Sequence, residues 1–319
     1  KEICYQRRLM RDMYERGRNS NEVNKKFRKS WNLFFNNFLK YFRNHKVNEI
    51  NVDDNLLICD AGTGIIPLGN KIVADGKQDR LLILLSHFHW DHISGLPFFT
   101  PAFISKNNIN FFGPGNSKEI IKKYIDGQMK APYFPVGTEE WMANITYIDP
   151  KKRKIKHGPM EITYYSAHHP GITYGYKIKT KNKTIIYIPD NECLFLDKSI
   201  KENTKGFSEE EITMFTKMNE EEYTGAVKTI LNTDILIHDA QYTPEDYKKK
   251  KGWGHSCYID VINMAIDANV KNLYLFSHDP NNDDEVIKNI HRECQKIIDN
   301  KNSSLKCFIA KESLEISLD

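Results

Sequence analysis

The chain has 319 residues, of which 40% are hydrophobic and 28% are charged, and its formal net charge is only +4. A chain of this length could hold one large α/β domain or two small ones, and the small net charge argues against a protein that wraps nucleic acid over its whole surface. No apolar run reaches the ~18 residues of a membrane-spanning helix, and no secretory signal opens the chain. The six cysteines form no C-x-x-C pair, so we expect reduced, mostly buried thiols and a cytoplasmic protein.

Residues 1–46 differ in composition from the rest of the chain. They are rich in Lys and Arg, and aromatic residues recur at helical spacing between Val23 and Arg43, which predicts an amphipathic helix. We therefore expect a basic N-terminal extension, residues 1–46, before a main domain, residues 47–319. The helix either packs its aromatic side on the main domain or serves as a basic arm for a nucleic acid, an anionic membrane or a partner. Packing is favoured, because so aromatic a segment would aggregate if exposed.

From Val47 the pattern becomes α/β. Val47–Ile50 and Leu56–Cys59 predict a hairpin that runs into a tight turn at Asp60–Gly64, and Leu81–Leu85 predicts a buried strand. Further short strands are predicted at Ile109–Phe112, Ile145–Ile148, Glu161–Tyr165, Tyr174–Lys179, Thr184–Ile188, Ile235–Ile237, Asn272–Phe276 and Cys307–Ala310. Helices are predicted from Ser117 to Tyr124, from Ser208, from Cys257 to Ala268 and from Asp284 to Asp299, and a basic turn at Lys151–His157. Two groups of strands, each followed by helices, predict two mixed sheets face to face with helices outside.

The densest cluster of chemically active residues follows the strand Leu81–Leu85. His87, His89, Asp91 and His92 fall within six residues, where a buried strand emerges into a loop. His87 and His89 point the same way on an extended segment because side chains alternate. Asp91 and His92 then come on a turn and can face a second point. Imidazole and carboxylate suit zinc, manganese or iron, so this spacing predicts a metal site.

Other polar residues end the later strands. His169, Asp190, Asp239 and His278 each come at the end of an apolar run, and His255 lies in a loop before a helix. Strand ends meet at one edge of a sheet, where the sites of α/β proteins form. We therefore expect these residues to gather near the histidine cluster.

The motifs together resemble a metallo-β-lactamase-fold hydrolase, and more narrowly the ribonuclease Z-like phosphodiesterase branch. The resemblance covers roughly residues 47–319 and implies an αββα four-layer sandwich. The matching segments are Asp60–Gly64, the HxHxDH motif at His87–His92, His169 to Gly175-Tyr176, Tyr187–Glu192, Ile237–Tyr242, Gly252–Ser256 and Phe276–Pro280.

The resemblance also implies a binuclear site. One metal would be held by His87, His89 and His169, the second by Asp91, His92 and His278, and Asp190 would bridge them. His168 competes with His169, but the spacing of His169 to Gly175-Tyr176 fits the branch. The ions are expected to be zinc, with manganese or iron as alternatives.

Catalytic roles follow from the same resemblance. We expect Asp91 to be a catalytic residue as well as a metal ligand. A hydroxide bridging the two metals would attack phosphorus. His255 would assist the leaving group, held by Asp239, which stands where relatives carry Glu and therefore reaches less far. His238 is expected to be an ordinary core histidine.

The substrate is less well defined. Ribonuclease Z relatives carry a long tRNA-gripping arm between the metal histidine and the bridging aspartate, whereas Tyr174–Ile188 predicts a tight hairpin here. The sequence therefore favours a small cyclic or short linear nucleotide over RNA. Alternatives are a tRNA 3′-processing endonuclease, a thioester or β-lactam hydrolase of the same fold, and a non-catalytic nucleotide-binding or nucleic-acid-binding module. The resemblance also implies a homodimer.

Overall fold

A computed structural model describes residues 48–52, 55–76, 80–193, 208–312 and 314–318, all within one compact unit. The predicted extension of residues 1–46 lies outside this part of the chain, so its helix and the domain boundary remain predictions.

Twelve strands form two mixed sheets in the described chain. The five-stranded sheet has the order β1-β2-β3-β4-β5, in which β1 and β2 form an antiparallel hairpin and β2 to β5 are parallel. Its strands are β1 (Asn48–Val52), β2 (Asn55–Cys59), β3 (Arg80–Leu84), β4 (Asn108–Phe112) and β5 (Asn144–Tyr147).

The seven-stranded sheet has the order β12-β11-β10-β9-β8-β7-β6, parallel from β12 to β9 and antiparallel from β9 to β6. Its strands are β6 (Lys154–His157), β7 (Met160–Ala167), β8 (Thr173–Lys179), β9 (Thr184–Ile188), β10 (Ile235–Asp239), β11 (Asn272–Phe276) and β12 (Lys306–Ile309). The helices are α1 (Ile65–Asp75), α2 (Trp90–Ile93), α3 (Lys118–Gln128), α4 (Glu209–Ile230), α5 (Pro244–Lys250), α6 (Tyr258–Asp267) and α7 (Asp284–Asn300).

The core has layers because the central strands are apolar on both faces. Leu57 and Leu82 of the first sheet join Ile162 and Tyr187 of the second in one buried cluster between the sheets. A second cluster joins the outer face of the seven-stranded sheet to α6 and α7, as at Leu273. On the other side, α3 packs on β4 and β5, and α1 packs on the short 3-10 helices at Leu96–Phe98 and Thr100–Phe103. This is the predicted αββα sandwich, and alternation of side chains along each strand produces it.

One predicted element is wrong. Lys151–His157 is not simply a turn, because Lys154–His157 is strand β6, paired antiparallel with β7. Ile155 lies between two lysines, faces the core and is only 5% exposed. Burial of this one side chain, together with pairing to β7, outweighs the charge pattern that suggested a solvated loop. The helices α1, α2 and α5 were not predicted, and the residues of α2 were expected to form a turn.

Two further findings concern the cysteines and the length of the apolar helices. All five cysteines of the described chain are buried thiols without a disulfide. No helix within the described ranges combines the length and apolar character needed to span a membrane.

Candidate metal centre

The polar residues that end the strands meet at one edge of the sandwich. β9, β10 and β11 are parallel, so Asp190, Asp239 and His278 follow them at the same edge. β7 is antiparallel to β8, which is antiparallel to β9, so β7 also ends there, just before His169.

The facing sheet brings the HxHxDH loop to this edge through hydrogen bonds between the sheets. Tyr174 N donates to the Ser86 carbonyl at 2.9 Å, and the Tyr176 hydroxyl donates to the Leu85 carbonyl at 2.5 Å. These bonds hold the start of the histidine loop against β8.

The first cluster of potential ligands contains His87, His89, His169 and Asp190, whose ligand atoms all lie within 4.8 Å of one another. Asp190 Oδ2 lies 3.6 Å from His87 Nε2 and 3.5 Å from His169 Nε2. His89 Nδ1 lies 3.1 Å from His169 Nε2. His87 and Asp190 are buried whereas His89 is exposed, so the cluster is open to solvent on one side.

The second cluster contains Asp91, His92 and Asp190. His92 Nε2 lies 3.3 Å from Asp91 Oδ2 and 3.4 Å from Asp190 Oδ1. Asp190 therefore presents one oxygen to each cluster, the arrangement expected of a carboxylate that bridges two ions.

The donor atoms fit a divalent metal. His87 Nε2 is fully buried without a hydrogen-bond partner although it points into the first cluster. Burial, with a smaller effect of neighbouring His92, lowers the pKa of His87 to about 2, and burial also lowers the pKa of His169. Both rings are thus neutral at physiological pH, the form that binds metal.

Asp60 orients the second cluster, a role the sequence did not predict. It ends β2 with a positive φ of 63° and is only 2% exposed. Its Oδ2 accepts hydrogen bonds from His92 Nδ1 at 2.8 Å and from the Tyr187 hydroxyl at 2.7 Å, and its Oδ1 accepts from Ser86 N at 2.7 Å. Because the hydrogen bond from Nδ1 to Asp60 fixes the His92 ring, Nε2 faces Asp91 and Asp190. A carboxylate behind a histidine is the usual support of a metal ligand.

His169 has a corresponding support from backbone. Its Nδ1 donates to the Gly254 carbonyl at 2.8 Å, which leaves Nε2 directed at Asp190. Gly254 adopts a φ of +87°, and a Cβ there would lie 2.4 Å from His169 Nδ1. Only glycine fits so close an approach.

His255 lies beside both clusters and is paired with Asp239, as predicted. Its Nδ1 donates to Asp239 Oδ2 at 2.9 Å, and its Nε2 lies 4.0 Å from Asp190 Oδ2. Burial alone would lower the pKa of His255, but the charge and hydrogen bond of Asp239, together with the charges of Asp190 and Asp91, raise the pKa to about 9. The shorter side chain of Asp239 therefore reaches its histidine, and further bonds from Asn191 N and Gln241 N hold it in place.

Three other histidines were considered from the sequence. His278 follows β11 at the site edge but belongs to neither cluster, so its ligand role stays a prediction. His168 is outside the clusters, and its Nδ1 lies 3.1 Å from Glu222 Oε1. His238 is fully buried, with Nδ1 2.6 Å from the Asp239 carbonyl, which agrees with the expected core histidine.

Glu192 was not predicted to serve the site beyond its place in a matching segment. It is 4% exposed and accepts hydrogen bonds from Gly252 N, Gly254 N and the Tyr247 hydroxyl at 2.7–2.8 Å. It therefore anchors the loop that carries His255. No sequence signal identified this partner, because the contacts join residues about sixty positions apart.

Comparison with known proteins gives consistent results. A family model described as "Beta-lactamase superfamily domain" matches residues 55–278. The Ribonuclease Z of Picrophilus torridus is 24% identical over 270 residues, which cover 74% of this chain and 78% of that protein.

Two solved structures share the fold. The metallo-beta-lactamase fold protein YhfI from Bacillus subtilis has a TM-score of 0.59 at 17% identity, covering 85% of this chain and 91% of that one. The short form of human tRNase Z has a TM-score of 0.51 at 16% identity, covering 86% and 92%. The expected fold and the ribonuclease Z-like resemblance are thus confirmed. The chain belongs to the beta-lactamase superfamily and is a metal-dependent hydrolase with the metallo-β-lactamase fold.

Proposed function

We propose that this hydrolase cleaves phosphodiesters of small cyclic or short linear nucleotides at a binuclear centre. The observation that carries the proposal is the hydrogen-bonded pair of His255 and Asp239. Nε2 of His255 lies 4.0 Å from the carboxylate of Asp190, which both clusters share. A phosphodiester has a poor alkoxide leaving group, and a protonated imidazole beside the ions meets that need.

The ligands in this proposal are His87, His89 and His169 for one ion, Asp91, His92 and His278 for the other, and Asp190 between them. Divalent ions there would lower the pKa of water towards neutrality and stabilise charge on the phosphoryl oxygens. His255 gives its proton to the leaving oxygen, while Asp239 fixes the ring and stabilises its charge. Asp60 and the Gly254 carbonyl keep His92 and His169 in the orientation that exposes Nε2.

The β8–β9 connection supports a small substrate. Only residues 180–183 join these strands, and Thr180 N donates to the Lys183 carbonyl at 2.9 Å. This tight turn lies where ribonuclease Z relatives are expected to carry the arm that grips tRNA. The second candidate, tRNA 3′ processing, is favoured by the curated relative named Ribonuclease Z.

A substrate panel with metal analysis tests the proposal. Wild-type protein and Asp190→Ala would be assayed on bis-p-nitrophenyl phosphate, cyclic nucleotides, dinucleotides, precursor tRNA, nitrocefin and a thioester. We expect wild-type turnover of the first three, whereas Asp190→Ala should lose both ions and activity because each cluster loses a ligand. Turnover of precursor tRNA alone would favour the second candidate, and turnover of nitrocefin or thioester alone would exclude both. An active, metal-loaded Asp190→Ala protein would overturn the site assignment.

A further inference from the structure

We propose that Trp253 stacks on the base of the nucleoside that leaves when the phosphodiester is cleaved, so that the loop Gly252–Gly254 forms a leaving-group subsite. The inference rests on the proposed function and extends it by naming the part of the substrate that this loop recognises. The ligand is a nucleoside joined through its sugar oxygen to the scissile phosphate.

The loop is held rigidly, although its central side chain is exposed. Trp253 is 62% exposed, whereas Glu192 beneath the loop is 4% exposed. The two carboxylate oxygens of Glu192 accept from the amides on either side of Trp253, from Gly252 N and Gly254 N, both at 2.8 Å. Trp253 N also donates to the Lys250 carbonyl at 3.1 Å. Because the backbone is already anchored, little further backbone freedom is lost when a ligand stacks on the indole.

The loop touches the metal centre directly. Gly252 and Gly254 have φ values of +83° and +87°, so glycines bracket the tryptophan where the backbone is left-handed. The approach of Gly254 to His169 is close enough that a Cβ would meet Nδ1 at 2.4 Å. The backbone that carries Trp253 therefore lies beside a proposed metal ligand.

The position of His255 identifies which side of the substrate meets Trp253. His255 is two residues further along the same loop, and two residues span at most ~7 Å. The leaving oxygen must come within hydrogen-bond distance of His255 Nε2 to take its proton. The sugar that carries this oxygen then lies against the loop, with its base in reach of the indole.

The charge of the preceding helix favours a nucleotide chain over a neutral group. Lys248 and Lys249, in the last turn of α5, are both exposed. An exposed aromatic ring next to lysines is the combination that binds single-stranded nucleic acid, because the ring accepts any base and the lysines attract phosphates.

Paired substrates test the subsite. Wild type, Trp253→Ala and Trp253→Phe would be assayed on a dinucleotide and on an analogue whose leaving residue is an abasic ribose. We expect Trp253→Ala to lose roughly 10- to 100-fold in kcat/KM on the dinucleotide, as base–aromatic stacking implies, and to match wild type on the abasic analogue. Trp253→Phe should keep most of the dinucleotide activity. An equal loss on both substrates, or no loss on either, would overturn the subsite.

A binding measurement separates this inference from the proposed function. Tetrathymidylate with phosphorothioate linkages and an abasic tetramer of equal charge would be titrated against the same three proteins by calorimetry. We expect wild type and Trp253→Phe to bind the thymidylate more tightly than the abasic tetramer, and Trp253→Ala to bind the two alike. A wild type that turns over no phosphodiester but shows this preference refutes the function and retains the base site. Equal binding of both tetramers by wild type refutes the base site.

Discussion

His255 is the residue whose chemistry is most separable from metal binding. Its Nδ1 is bonded to buried Asp239, and its Nε2 is 4.0 Å from the shared carboxylate. We expect His255→Ala to lower kcat on a phosphodiester by ~10²–10⁴-fold, the usual worth of general acid help, while both ions remain bound. Steady-state kinetics and elemental analysis on one preparation check this.

His168→Ala is the matched control for that experiment. His168 is also a histidine near the strand ends, but it is exposed and paired with Glu222. Its removal should leave kcat near wild type. Loss of metal from His255→Ala would instead move His255 into the ligand set.

Among the elements around the site, the loop Gly252–Gly254 can lie against His169 only because Gly254 has no Cβ atom. We expect Gly254→Ala to lose the ion held by His169 and most activity, because the new Cβ would lie 2.4 Å from both His169 Nδ1 and Pro170 Cδ. Gly76→Ala is the matched control, since Gly76 also has a positive φ of +66° but a Cβ added there would have no atom within 4 Å. Both variants carry backbone strain of ~1–2 kcal/mol, so metal content distinguishes contact from strain. Equal metal content in the two proteins would contradict the positioning role.

The elements that were predicted well and those that were missed differ in a physical way. Strands such as β3 and β10 were predicted because uninterrupted apolar runs bounded by polar residues are buried wherever they lie. β6 was partly missed because its single buried residue, Ile155, acquires its core position only by pairing with β7. In the sequence, the surrounding charged residues hide the contribution of a single apolar residue. In the folded chain, burial of that residue determines that the segment is a strand.

At the scale of the whole molecule, buried His238 makes stability depend on pH. Burial lowers the pKa of His238 to about 4 in the folded state, against ~6.5 in the unfolded chain. Between these values the unfolded state binds more protons, so stability rises with pH. Falling pH from 6.5 to 4 should cost about 3 kcal/mol through this residue.

Denaturant unfolding of chelated wild type and His238→Gln across pH 4–7.5 checks the effect. Other histidines titrate in both proteins, so the difference between the two free energies of unfolding at each pH isolates His238. We expect this difference to shrink as the pH falls below 6.5 and to level off near 4. A difference independent of pH would show that His238 is not buried in its neutral form.

The candidate site was predicted unevenly from the sequence. Four of the proposed ligands could be recognised from the sequence because they follow one another closely at the end of a single strand: His87, His89, Asp91 and His92. The roles of Asp60 and Glu192 were not, because each acts on residues far along the chain: Asp60 on His92, and Glu192 on Gly252 and Gly254. An isolated acidic residue looks the same in sequence whether it supports a metal ligand or faces solvent.

The fold class, the family and the types of side chain available for a binuclear site could all be read from the amino-acid sequence, since neighbouring residues carry strand periodicity and motif spacing. The folded chain was needed to show that Asp190 shares its two oxygens between the clusters and that Asp239 reaches His255 despite its shorter side chain. It also decided that the loop Gly252–Gly254 lies against His169. The first outcome depends on distances of a few ångströms between the two sheets, and the second on distances between neighbouring segments at one edge of the seven-stranded sheet. Neither distance can be inferred from neighbouring residues in the sequence.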